Sequence, residues 1–186
     1  MSRMPAVLVA LVLSGPAMGQ QPAEYGGQAL SFSRDMSFPL NAVQLHDRAA
    51  EAWTWTFGRE PGAAMRRNDR EAGILEGQAR INFRSEMLTL REETMGTVAY
   101  RVVVRTKAGE CRVMVTELVH TGNRSAHRGG VHVGTLTTGE LPAQRVQGMG
   151  RTTTARVHGE LKVLAMQRIN QLLQTFEARI RAGIEP

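Results

Sequence analysis

The sequence predicts an α+β domain in the order strand, helix, four strands, long helix. Three stretches carry this. Residues 95–121 alternate apolar and polar positions as two strands around a glycine-containing turn. Residues 41–57 hold a capped amphipathic helix, and residues 154–181 hold the longest helical pattern in the chain.

In the first strand of the hairpin, Val98, Tyr100, Val102 and Val104 point one way, while Ala99, Arg101, Val103 and Arg105 point the other. In the second, Cys111, Val113 and Val115 alternate with Arg112, Met114 and Thr116. This is the pattern of a half-buried antiparallel pair. Residues opposite each other share a face, so the two apolar sets must meet. That predicts Val104 opposite Val113 and Val102 opposite Val115. A turn through Lys107-Ala108-Gly109-Glu110 closes this register, with Gly109 free to take positive φ. The other face is not wholly polar, because Val103 and Met114 sit among arginines. Arg101, Val103, Arg105, Arg112 and Met114, together with Trp55, form the expected ligand or partner surface.

The remaining elements follow from local signals. Residues 30–38 read as a first strand, ended by Pro39. Asn41 is placed to cap the first helix with Gln44 as its capping-box partner, and Leu40 and Leu45 can form the hydrophobic staple. Leu45, Ala49, Ala52, Trp53 and Thr56 fall on one stripe of that helix, with Trp55 well off it; Gly58 supplies the stop. Residues 63–68 and 73–84 read as two further strands around a polar turn, and residues 85–94 as a charged connection. Residues 122–150 form a glycine-rich loop without lasting periodicity, holding either a short strand at 131–136 or a mobile flap. The final helix has its apolar stripe at Val157, Leu161, Leu164, Ile169, Leu172, Phe176 and Ile180, and Gly183 stands where a C-terminal cap belongs.

A chain of 186 residues suits one domain with a real core, here residues 30–182. Residues 1–19 read as a signal peptide: Arg3, an apolar run at 6–13, a Ser14-Gly15-Pro16 breaker, and Ala17-Met18-Gly19 before cleavage at Gln20. Residues 20–29 read as a disordered lead-in. The expected destination is therefore the periplasm or the cell exterior. The apolar run is too short to span a bilayer, and no later segment is long and uncharged enough. Cys111 is the only cysteine, so no intramolecular disulfide forms, and its strand position reads as a small buried hydrophobe. The net charge of +6 comes almost wholly from arginines scattered along the chain, which describes a basic solvated surface rather than a nucleic-acid track.

No catalytic motif is present: the chain has no G-x-S-x-G, no phosphate-cradling G-x-x-x-x-G-K and no H-E-x-x-H. His120, His127 and His132 are weak metal candidates whose spacing fits no ligand pattern, with no acidic residue among them until Glu140. His46 and Asp47 are adjacent on a helix, where successive side chains diverge. The sequence therefore implies no catalytic residues, no metal and no cofactor. It points to a non-catalytic envelope domain that binds an unidentified envelope protein or small ligand, with homo-oligomerisation compatible and nucleic acid not expected. The alternatives are a hydrolase-like enzyme using the loop histidines, or a binder of anionic polymer.

Three local patterns carry a resemblance: Leu45-x-x-Arg48-Ala49-x-x-x-Trp53, Asp69-x-x-x-Gly73-Ile74-x-x-Gly77 and Lys107-x-Gly109-x-x-Arg112. In this order, behind a signal peptide, they resemble a large family of exported bacterial proteins known as a domain of unknown function with a TATA-binding-protein-like (TBP-like) fold. The resemblance covers residues 30–121 and, by position, the final helix; residues 122–150 lie outside it. It implies a single curved antiparallel sheet of about five strands with two helices on one face, one half of the TBP-like saddle. It implies no activity, and DNA binding does not follow from the fold.

Overall fold

The computed structural model describes residues 24–86, 94–123, 125–126 and 129–184. The expected signal peptide, residues 1–19, and most of the expected charged connection, residues 87–93, lie outside them. The elements are β1 (Phe32–Ser37), α1 (Ala42–Trp55), a 3-10 turn (Phe57–Arg59), β2 (Ala64–Asp69), β3 (Ile74–Phe83), β4 (Gly96–Lys107), β5 (Glu110–Gly122), β6 (Gly134–Thr135) and α2 (Arg151–Ala182). The strands form one antiparallel sheet in the order β1-β5-β4-β3-β2, and β6 pairs with β5 beyond the end of β1. Both helices cover the same face.

The hairpin has the predicted register. Val104 lies opposite Val113 and Val102 opposite Val115, and Gly109 turns the chain at φ +79°. Cys111, Val113 and Val115 are buried with Val98, Tyr100, Val102 and Val104. One feature breaks the alternation. The register slips between Ala99 and Arg101, where Glu117 takes φ +56°, the single non-glycine positive φ among the described residues. This bulge shifts the phase of β5, so that Leu118 and His120 face the core where Glu117 and Val119 do not.

The first helix begins on the expected capping box. The Asn41 side chain accepts from the Gln44 amide at 2.9 Å, and the Gln44 side chain accepts from the Asn41 amide. Its apolar stripe is buried as predicted. At the other end the Thr56 hydroxyl donates back to the Ala52 carbonyl at 2.7 Å. Trp53 lies across β3 at Gly77, where a Cβ would sit 2.5 Å from the indole ring. The glycine is the floor on which the tryptophan packs.

The final helix spans 32 residues, starting three residues earlier than the sequence pattern suggests. It buries Val157, Leu161, Ala165, Ile169, Leu172, Leu173, Phe176 and Ile180 against the sheet and α1. Full burial of a leucine, isoleucine or phenylalanine contributes about 1.5–3 kcal/mol each, so this stripe holds the helix in place. Phe176 meets Phe57 of the 3-10 turn with ring centroids 5.9 Å apart. Beside this contact, the buried Glu60 carboxylate receives Arg168 through two hydrogen bonds, at 2.5 and 3.2 Å. The Tyr100 hydroxyl is buried near this ion pair without a hydrogen-bond partner, and burial raises its pKa far above the usual phenol value. Tyr100→Phe is therefore expected to be neutral or to stabilise the fold by up to about 1 kcal/mol, since it removes a desolvated hydroxyl with no bond to lose. Urea unfolding measures this; a loss above about 1 kcal/mol would mean that the hydroxyl is satisfied after all.

Two sequence expectations change. The lead-in does not end at residue 29 as disordered chain. Ala29 bridges Thr137, the Leu30 amide donates to the Leu136 carbonyl, and the Thr138 amide donates to the Gln28 carbonyl. The backbone of Gln28 is thus held by residues more than a hundred positions away. Of the two alternatives for residues 122–150, the described part takes the short strand rather than an open flap. It buries Val133, Leu136, Leu141, Val146 and Met149, and the expected strand at 131–136 shortens to Gly134–Thr135. Buried His158 of α2 clamps this segment. Its Nε2 accepts from the Thr137 amide at 3.1 Å and its Nδ1–H donates to the Glu140 carbonyl at 3.0 Å. Lys162 donates to the carbonyls of Gly139 and Thr138 one turn further on. No periodicity announces such a segment because its contacts come from α2, β5 and residues 28–30, not from its neighbours in sequence.

Candidate functional site

No described element covers the second face of the sheet. Strand alternation places Asp35 of β1, Arg112 and Met114 of β5, Arg101, Val103 and Arg105 of β4, and Glu76 of β3 on it. The register then decides which side chains meet. Val103 lies opposite Met114 and Arg105 opposite Arg112. Five of the six residues expected to form a binding surface therefore share one face.

Most charges on this face are matched. Arg101 reaches Glu76 at 2.7 Å on one side and Glu117 at 3.0 Å on the other. The bulge that gives Glu117 its positive φ is what brings its carboxylate within reach. Arg112 holds Asp35 by a two-pronged pair across β5 and β1, and its hydrogen bond keeps the Asp35 carboxyl below the usual carboxylate range. Lys107 pairs with Glu110 at 2.9 Å, and Arg67 with Asp69 at 2.5 Å. Exposed pairs of this kind add little stability, but they fix where charge is free. Arg105 makes no ion pair among the described residues. The arginines do not line up as an unmatched positive track of the kind a polyanion would follow.

Val103 and Met114 are half-buried between these charges and form a small apolar step rather than a wide patch. At the hairpin end of the face, Asp35–Ser37, Arg105–Lys107 and Glu110–Arg112 line a cleft of about 560 Å3. Cys111 lies beneath it, buried, with its thiol pushed up to about 12 by desolvation, which leaves it protonated and unreactive at neutral pH.

Trp55 does not belong to this surface. It stands 46% exposed at the end of α1, in the helix layer. The Arg59 guanidinium lies 4.3 Å from its ring centroid and that of Arg179 lies 5.8 Å away, a cation–π stack where α1, the 3-10 turn and α2 meet. Sequence phase correctly turned Trp55 away from Trp53, but it could not say on which layer the outward side would lie.

Each described histidine of the candidate set is engaged with the backbone. His120 is buried against Phe83 in an edge-on contact, ring centroids 5.4 Å apart, and its Nδ1 accepts from the Val133 amide. Burial pushes its pKa down to about 4, against an upward pull from a hydrogen bond with the Thr94 backbone. The exposed His132 accepts from the Gly122 amide through Nδ1. His127 lies outside the described residues. His46, turned inward beside Asp47, joins Asn68 at 2.8 Å and Thr106 at 3.4 Å, while Asp47 points out to Arg70. Among the described residues no group of three or more His, Cys, Asp or Glu side chains could hold a metal ion. The hydrolase-like alternative has no histidine–carboxylate pair to rest on there. Sequence reasoning passed over His158, whose place three residues before Leu161 and four after Thr154, on the buried stripe, was the signal available.

A TBP-like protein from Parabacteroides distasonis superposes with a TM-score of 0.53 at 5% identity, over 83% of this chain and 97% of that one. The fold is TBP-like. A DUF4468 family protein from Bacteroides ovatus gives a TM-score of 0.49 at 14% identity, over 83% of this chain and 90% of that one. The Zhui aromatase/cyclase from Streptomyces sp. R1128 gives 0.38 at 7% identity, over 85% and 97%. No family model and no curated protein matches the chain. At 5% identity the likeness to the Parabacteroides distasonis protein shows the fold alone. Among the described residues no helix is long and apolar enough to cross a membrane.

Proposed function

We propose that this chain is a non-catalytic binding domain of the cell envelope, which engages a protein or small ligand through the uncovered face of its TBP-like sheet. The observation that carries this reading is the arrangement on that face. An apolar step of Val103 opposite Met114 is framed by arginines, beside a cleft of about 560 Å3. Clefts of this size suit small ligands, and an apolar centre within a polar rim suits a protein partner. Placement in the envelope rests on the N-terminal sequence pattern of Arg3, an apolar run and Ala17-Met18-Gly19.

Native mass spectrometry on the mature chain, purified from its own envelope fraction, tests the proposal. The wild type is expected to retain an additional mass, either a ligand or a polypeptide. A Val103→Lys, Met114→Glu double variant places opposite charges across the same two strands, preserving pairing while removing the apolar step. It is expected to keep its unfolding midpoint and to lose the retained mass. A bare monomer in the wild type, or the same mass retained by both proteins, overturns the reading.

A further inference from the structure

We infer that the cleft at the hairpin end of the open face is an anion site, in which Arg105 and Arg112 together hold one carboxylate- or phosphate-type group of the ligand. This deepens the proposed function and rests on it for the identity of the surface. The observation is a mismatch at the hairpin end of the face. The register sets Arg105 directly opposite Arg112, and like charges in that position destabilise a sheet. Every neighbouring charge is complementary: Lys107 meets Glu110 on one side, and Arg101 meets Glu76 and Glu117 on the other. Asp35 satisfies Arg112 alone, and Arg105 has no carboxylate within ion-pair distance among the described residues.

The mismatch lies where a ligand fits. Arg105 and Arg112 both line the cleft of about 560 Å3, with the Ser37 and Lys107 side chains beside them. A guanidinium presents a planar fork of donors that matches the paired oxygens of a carboxylate or phosphate. A bound anion would bridge the two guanidinium groups and turn their repulsion into attraction. Asp35 and Glu110 also line the cleft, each held by its own cation, and they would repel a second negative group. The site therefore suits a ligand that presents a single anionic group at this point, with an apolar portion able to reach the Val103–Met114 step.

The test is isothermal titration of the folded mature chain with inorganic phosphate and, separately, with acetate as the carboxylate probe. Saturable binding of at least one is expected, weakened tenfold or more by Arg105→Gln and unaffected by Arg179→Gln in the helix layer. Whichever probe binds more tightly identifies the anion class. Arg105→Glu gives a readout that a structural arginine would not: it creates a complementary pair with Arg112, so the unfolding midpoint should rise while anion binding disappears. No saturable binding by the wild type, or equal binding by wild type and Arg105→Gln, overturns the inference. The broader reading fails separately, because a partner retained in native mass spectra by Arg105→Gln would leave the open face as a binding surface without this anion site.

Discussion

A Gly77→Val chain is expected to unfold at a lower urea concentration than the wild type, corresponding to a loss of about 3 kcal/mol, at the upper end of overpacking costs. The new Cβ would lie 2.5 Å from the Trp53 indole and 3.0 Å from the Ala64 carbonyl, so neither side has room for it. Trp53 cannot swing away, because it is 4% exposed and its ring also packs at Gly58. A double-mutant cycle isolates the cause. Trp53→Phe removes the benzo ring that collides, so Gly77→Ala should cost measurably less in that background than in the wild type, by 0.5 kcal/mol or more as an order-of-magnitude coupling. Additive losses would place the strain in the backbone of β3 instead.

Acid is expected to weaken the fold through its buried histidines. The His120 pKa falls from 6.5 to about 4 on folding, so the unfolded chain takes up the proton first as pH drops. The stability His120 contributes is complete above the unfolded value, declines as pH falls below 6.5, and is spent near 4. The gap corresponds to about 3 kcal/mol. His158 acts in the same direction, its pKa lowered first by burial. Its protonation would also cost the hydrogen bond that Nε2 accepts from the Thr137 amide, loosening the clamp over 137–140. Urea midpoints measured from pH 7.5 to 4 should therefore decline steadily. His120→Asn retains an acceptor for the Val133 amide and cannot titrate in this range, so its curve should be distinctly flatter. Parallel curves for the two proteins would assign the acid sensitivity to other groups.

The hairpin was readable in the sequence because two alternating apolar sets can meet in only one register. The three motifs of the resemblance also acquire physical reasons. Asp69 accepts from the Ala72 amide and shapes the turn, and Gly73 takes φ +63° where a Cβ would strike the Thr106 carbonyl. Gly77 makes room for Trp53, and Gly109 turns the hairpin. The bulge at Glu117 was less visible, although the successive polar residues Thr116 and Glu117 mark the change of phase. Two ion pairs on the open face, Arg112–Asp35 and Arg101–Glu76, could not be read at all. They depend on β1 lying beside β5, and β3 beside β4, which alternation within one strand does not specify. For the same reason the residues of the candidate surface were legible singly, while the unmatched position of Arg105 was not.

The clasp between Gln28–Leu30 and Leu136–Thr138 has a consequence for how the chain acquires its fold. The Thr138 hydroxyl bonds to Gln28 across 110 positions of sequence, so the clasp must close a long loop for few contacts. The hairpin of β4 and β5 closes a short one and gains its contacts early. A chain synthesised from its N-terminus presents Gln28 long before its partners exist, and that end must stay extended until the segment after β5 arrives and α2 secures it. Gln28–Leu30 are thus among the last residues of the domain to find their place.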